Sequence, residues 1–250
     1  MIDYEYPLSE RVRTFLRLES LFHKAFYFVA LNDALPHHVA LLALFEIIEV
    51  ASRADIKSDI LQELERQRQV LTPLRDNSDI DQKKLLQILA DISHSLKAIH
   101  SLTGKPGQNL KEIEWLMNVK QRASIPGGTC EFDLPAYHYW LHTPNDHRHA
   151  DLNTWIASLT PIYQGISVIL QLLRESGTHK TMTARLGNYQ QMLNGRNAQL
   201  LKISLNKQLP YTPEISANKY ALSVRFLDAC TNHPKTSNED ITFNLTFCNL

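Results

Sequence analysis

Ile241-Thr242-Phe243-Asn244-Leu245-Thr246-Phe247 places an apolar residue at every second position. Side chains alternate sides along a β-strand, so the stretch reads as a half-buried strand with one wet face. Leu201, Ile203 and Leu205 repeat the pattern, as do Tyr220, Leu222, Val224 and Phe226. Period two in three successive segments predicts antiparallel pairing. Met182, Ala184 and Leu186 offer a fourth strand. Ile2, Tyr4 and Tyr6 alternate as well and are candidates for the same sheet. Pro210, Pro213 and Pro234 are assigned to the connections. The sequon Asn244-Leu245-Thr246 reads as part of a strand, not as a glycosylation site.

Before Gly177 the period changes to that of a helix, from about residue 9 to 176. Pro7-Leu8-Ser9 offers an N-cap to a helix bearing Val12, Phe15, Phe22, Phe26 and Val29. Further helices are expected over Pro36–Ser52, Lys57–Leu71 and Asp81–Leu102. Shorter ones are expected over Gln108–Arg122 and Leu134–His142, then a long one from Asp146 to Ser176 kinked at Pro161. The fold class is therefore α+β: a mainly α-helical domain (1–176) followed by a small antiparallel β domain (177–250), with residues 2–6 able to join the latter.

The chain has 250 residues, 44% hydrophobic and 21% charged, as in ordinary globular proteins. Lys+Arg and Asp+Glu both number 26, so no overall basic field is available for nucleic acid, and an anionic partner must meet a local patch. Cys130, Cys230 and Cys248 are odd in number and form no CxxC pair, which argues for a reducing compartment. Met1-Ile2-Asp3-Tyr4-Glu5 lacks a signal-peptide pattern, and apolar runs such as Val39–Leu44 fall well short of the ~20 residues that span a bilayer. The expected location is the cytoplasm. No GxxxxGK[ST], GxGxxG or GxSxG motif is present, so the usual sequence support for nucleotide or acyl-transfer chemistry is missing.

Three constellations remain. His138 and His142 stand four apart on a helix, followed by Asp146, His147, His149 and Asp151. Such spacing can bind zinc, and a metal-dependent hydrolase built on this cluster is the alternative reading. Tyr139 stands where HExxH would have its general base, which counts against that reading. On the first helix Arg13, Arg17 and Lys24 lie within about 40° of one another at 100° per residue. A charged stripe is commonly a solvated face; its functional reading is a carboxylate-accepting surface, with a nucleic-acid backbone as a further alternative. Lys120 and Arg122 precede the turn Ile125-Pro126-Gly127-Gly128, whose Pro-Gly pair fits a type II turn, with the second glycine allowing close backbone approach.

The stretch Arg13-Thr14-Phe15-Leu16-Arg17-Leu18-Glu19 resembles the opening helix of the ZapD family. Ser124-Ile125-Pro126-Gly127-Gly128-Thr129-Cys130-Glu131-Phe132-Asp133-Leu134-Pro135, with His138, Trp140, Leu141 and His142 after it, resembles the same family. So do Thr154-Trp155-Ile156-Ala157-Ser158-Leu159 and the segment from Lys219 to Phe226. The resemblance implies a helical domain plus a β domain, a homodimer, and no enzyme activity or cofactor. It implies binding to the C-terminal tail of FtsZ, the tubulin-like GTPase of the division ring, and bundling of its filaments at mid-cell. Neither nucleic acid nor membrane is an expected partner. Basic tail contacts carry over to Arg17 and His138, with Arg13, Lys120 and Arg122 near them in sequence. Glu114 stands where a basic contact residue is expected, and Lys111 is its substitute one turn earlier.

Overall fold

The computed structural model describes residues 1–53, 55–193, 198–218, 220–230 and 235–249. Lys219 and Pro234, used above, lie outside the described residues. The chain divides into two compact units, one formed by Met1–Arg13 with Leu170–Leu250 and the other by Thr14–Ile169.

The first unit contains two antiparallel sheets. Strands β1 (Ile2–Pro7), β4 (Leu200–Leu205), β7 (Ile241–Cys248) and β2 (Thr178–Ala184) form one, in the order β1-β4-β7-β2. Strands β3 (Asn188–Met192), β6 (Ala221–Asp228) and β5 (Tyr211–Ala217) form the other, in the order β3-β6-β5. β1 runs against β4 with Tyr4 opposite Ile203 and Tyr6 opposite Leu201. The alternating apolar positions meet between the sheets: Phe226 lies 5.0 Å from Phe243, and Tyr189 lies 5.3 Å from it, centroid to centroid. Ile203, Leu222, Val224, Ile241 and Leu245 complete this core. The carboxylate of Glu5 accepts from Nε and Nη2 of Arg174 at 2.7 and 2.8 Å, a bidentate pair that anchors β1 to residues after Leu170.

Two strands depart from the expectation. β3 (Asn-Tyr-Gln-Gln-Met) is almost wholly polar, and β5 contains Pro213, assigned above to a loop. Both lie at the edges of the three-stranded sheet. An edge strand needs only one apolar face and tolerates a proline whose missing N–H would point to solvent.

The second unit is helical. Its elements are α1 (Glu10–Val29), whose first residues belong to the sheet unit, α2 (Ala34–Ala51), α3 (Ile56–Leu71) and α4 (Gln82–Ser101). After them come α5 (Gln108–Lys111), α6 (Glu114–Ala123), α7 (Pro135–Leu141), α8 (Asn145–Ala157) and α9 (Thr160–Glu175), whose residues from Leu170 on belong to the sheet unit. α2 is central: His37, Leu41, Leu44, Ile47 and Ile48 are fully buried. It is apolar enough by length and composition to pass as a bilayer span, yet half of it is buried within the unit, and Glu46 and Glu49 lie on it. Such a helix is the core of a bundle. Leu18, Phe22, Ile60, Leu64, Ile92, Ile99, Ile162 and Ile166 are buried too.

The expected long C-terminal helix is two helices, α8 and α9, bent by 63° at Ser158-Leu159. Pro161 sits in the first turn of α9, where its missing N–H has no intrahelical acceptor to satisfy, so it starts a helix and does not kink one. The expected Gln108–Arg122 helix likewise breaks at Glu112-Ile113 into α5 and α6.

Candidate functional site

α2 buries one side and leaves Leu42, Glu46, Glu49 and Val50 on the other, at helical spacing, with Arg53 just past its C-terminal end. α6 packs nearby through buried Leu116 and Val119 and brings Lys120, Ala123 and Ser124 to the same place. Between them runs a surface groove of about 530 Å³. Leu42, Phe45, Val50 and Ala123 give it apolar lining, and its charges are Glu46, Glu49, Arg53 and Lys120.

The electrostatics centre on Glu49. Nζ of Lys120 donates to its Oε2 at 2.9 Å. That hydrogen bond and charge, followed by the more distant charges of Arg53 and Lys111, hold the Glu49 carboxyl below the ordinary carboxylate value. Lys111 is fixed by donating to Oγ of Ser52 at 2.8 Å. Lys24 of α1 lies 3.8 Å from the Glu46 carboxylate. Lys24, Arg53, Lys111 and Lys120 thus gather around two carboxylates.

The residues singled out in the sequence are placed as follows. Lys111 and Lys120 come together around Glu49. Arg17 is exposed on α1, with no ion-pair partner among the described residues. Arg13 belongs to the sheet unit: its guanidinium meets Glu10 at 3.1 Å, donates to the Pro7 carbonyl and stands 5.9 Å over the Tyr6 ring. Arg122 pairs with Asp133 at 3.5 Å across the turn. In that turn Gly127 has φ +72°, and the Gly128 N–H donates to the Ile125 carbonyl at 2.9 Å, as the type II reading requires. Glu114 is the first residue of α6, where an acidic side chain complements the helix dipole.

His138 is exposed on α7, its ring 4.4 Å from that of His142, whose Nδ1 lies 2.8 Å from the His138 carbonyl. α7 is set by an aromatic cluster: Tyr137 and Trp140 stack at 5.9 Å, with Trp115 and Trp155 against Trp140 at 5.6 and 6.1 Å. The remaining members of the histidine-rich segment are apportioned to structure. His147 pairs with Asp151 at 3.3 Å, Asp151 also accepts from Trp140 Nε1 at 2.9 Å, and His149 packs on His37 at 4.7 Å. Among the described residues no three His, Cys, Asp or Glu side chains converge as metal ligands. The hydrolase alternative therefore finds no support: the i, i+4 spacing is real, but the rings turn to carbonyls, carboxylates and one another.

Three charged groove residues were not singled out in the sequence, Glu46, Glu49 and Arg53. Their signal was the placement of charge at 46 and 49 on an otherwise apolar helix and at 53 just after it.

These features define a two-unit α+β protein carrying a cation-rimmed groove on its helical unit. Comparison with known proteins narrows the class. The profile of a family described as ZapD, Cell division protein, matches residues 16–225. The chain is 51% identical to the Cell division protein ZapD of Azoarcus sp. (strain BH72), 50% to that of Nitrosomonas eutropha and 49% to that of Cupriavidus metallidurans, each over 100% of both chains. The chain belongs to the ZapD family, and its role lies in cell division.

Proposed function

We propose that this protein is a non-catalytic crosslinker of FtsZ filaments, acting in the cytoplasm at the division ring. Its helical unit takes the C-terminal tail of FtsZ, and a homodimer joins tails from neighbouring filaments. The observation that carries this reading is the gathering of Lys24, Arg53, Lys111 and Lys120 about one apolar-lined groove, in a chain whose net charge is zero. A tail that mixes acidic and apolar residues matches such a surface in both respects. Arg17 and His138, exposed on α1 and α7, are further tail contacts.

The energetics suit a bundling role. A shallow groove binding at the micromolar level supplies about 8 kcal/mol per tail. Filaments display many tails, so a dimer held by one meets others at high effective concentration, and avidity exceeds single-site affinity by ~10² to 10⁴. The test is sedimentation of FtsZ with GTP, with and without the protein, using full-length and tail-deleted FtsZ. Bundles that pellet only when protein and tail are both present support the reading. Bundles that form equally on tail-deleted filaments, or no co-sedimentation at low salt, overturn it.

A further inference from the structure

The groove between α2 and α6 already holds a carboxylate. Glu49 is exposed, with a side chain 54% accessible. It nevertheless sits 2.9 Å from the lysine ammonium, with Arg53 and Lys111 close enough to add their fields. Lys111 donates to a neutral acceptor, Ser52. Cations outnumber carboxylates here, with Lys24, Arg53, Lys111 and Lys120 against Glu46 and Glu49. The apolar lining from Leu42, Phe45, Val50 and Ala123 has room for a side chain.

We propose that Glu49 is a resident competitor for the groove, occupying on Lys120 the position that an acidic side chain of the FtsZ tail takes when it binds. This rests on the tail-binding reading above and adds the residue that sets its affinity. On binding, a tail carboxylate replaces Glu49 on the Lys120 ammonium, Glu49 swings into solvent, and an adjoining apolar tail residue covers Phe45 and Val50. One charge-assisted hydrogen bond is exchanged for another, so the net gain from the charge is small and affinity stays weak. Such an exchange makes binding depend on the acidity of the tail: a neutral peptide has nothing to offer Lys120 that Glu49 does not already provide better. Arg53 and Lys111 assist by making the site accept a second negative charge while the first departs.

The experiment is fluorescence anisotropy of a labelled FtsZ tail peptide with the full-length protein, in four forms: wild type, Glu49→Gln, Lys120→Ala and the double variant. A second peptide carries Asn and Gln in place of its Asp and Glu. Glu49 and Lys120 are partly exposed, and melts of each variant within a degree or two of wild type establish that folding is intact. Removing an exposed ion-pair competitor corresponds to about three- to fivefold tighter binding for Glu49→Gln. The gain is expected to fall below about twofold in the Lys120→Ala background, as the coupling of a touching pair requires. It is expected to vanish with the neutralised peptide.

If wild type binds the tail and Glu49→Gln binds equally or more weakly, the competitor role is overturned while tail binding stands. A gain that persists without Lys120, or with the neutralised peptide, also overturns it, because the effect is then not carboxylate exchange. If no form binds the tail, the tail-binding reading itself falls, and this inference with it.

Discussion

Nε of Arg148 donates to Nδ1 of His37 at 3.0 Å, with both side chains buried in the helical unit. The same guanidinium donates to the carbonyls of Leu141 and Thr143 and to Oδ1 of Asn145, so one side chain holds the turn from α7 to α8. Arg148→Met keeps the volume and leaves those acceptors unsatisfied. It is expected to lower the unfolding free energy by about 3 kcal/mol, read as a shift of the urea midpoint at unchanged slope. Arg148→Lys, which lacks the fork, recovers less than half.

The relationship also fixes a pH dependence. As acceptor from Arg148, His37 Nδ1 must be unprotonated, and Nε2 carries the proton, with no hydrogen-bond partner among the described residues. Burial, then the charges of His149 and Arg148, hold the His37 value below its ordinary 6.5, despite the raising influence of the Leu31 and Val29 carbonyls. The unfolded chain therefore takes up the proton first. The stabilisation is present above about pH 6.5 and is lost as pH falls from there through the lower folded-state value. Melts from pH 7.5 to 5.0 are expected to show a Tm that drops more steeply for wild type than for His37→Asn. Parallel slopes would refute the assignment.

The turn before α7 yields a paired prediction. A Cβ on Gly128 would lie 2.3 Å from the Arg122 carbonyl oxygen, which is backbone and does not yield. Gly127 has open space but φ +72°. Gly127→Ala should cost about 1 kcal/mol from the left-handed conformation alone. Gly128→Ala should cost about 2 kcal/mol or more, since the turn must open. Denaturant midpoints of the two variants give the order.

The two arginines of the first helix should separate functionally. Arg17 is exposed, with no ion-pair partner among the described residues, whereas Arg13 is held by Glu10, Pro7 and Tyr6. Arg17→Ala is expected to weaken tail-peptide binding about tenfold, equivalent to ~1.4 kcal/mol. Arg13→Ala should change it less than about threefold. Anisotropy titrations that reverse this order would move the tail contact toward the sheet unit.

Bundling should weaken with salt more steeply than single-tail binding does. Each contact in the groove is exposed and screened over a Debye length of about 8–10 Å, and a crosslink needs two such contacts at once. Light scattering of bundles and anisotropy of the peptide, titrated in parallel from 50 to about 300 mM salt, are expected to differ in slope by roughly a factor of two. Equal slopes would point to a crosslink that does not use two tails.

The fold was legible where burial is one-sided. Phe243 and Leu245, or Leu222 and Val224, announce their strands because the inner face must be apolar and the outer need not be. β3 and β5 were missed because edge strands bury little, leaving Tyr189 and Ile215 too few neighbours to make a pattern. The bend at Ser158-Leu159 escaped because the helical period runs through it unbroken. At the site, Arg17 was visible as a residue type in a resembling stretch, and Lys120 as a basic residue ahead of the Ile125-Pro126-Gly127-Gly128 turn. Glu49 was not, because its partner lies 71 residues away in sequence and only the packing of α2 beside α6 joins them. The histidine segment misled for the converse reason: spacing brought its members near, and side-chain geometry assigned them elsewhere.

The pairing of β1 with β4 sets an order of events during synthesis. A ribosome releases Ile2–Pro7 long before its partner, which begins at Leu200, and before the next strand over, β7, which begins at Ile241. At ~5–20 residues per second, β1 waits on the order of 10 to 40 seconds for a neighbour. The segment from Thr14 to Ile169 is made before Leu200 and can collapse around α2 while β1 is still single. Slower translation between α9 and β4 would lengthen the time Tyr4 and Tyr6 spend without the strand that covers them.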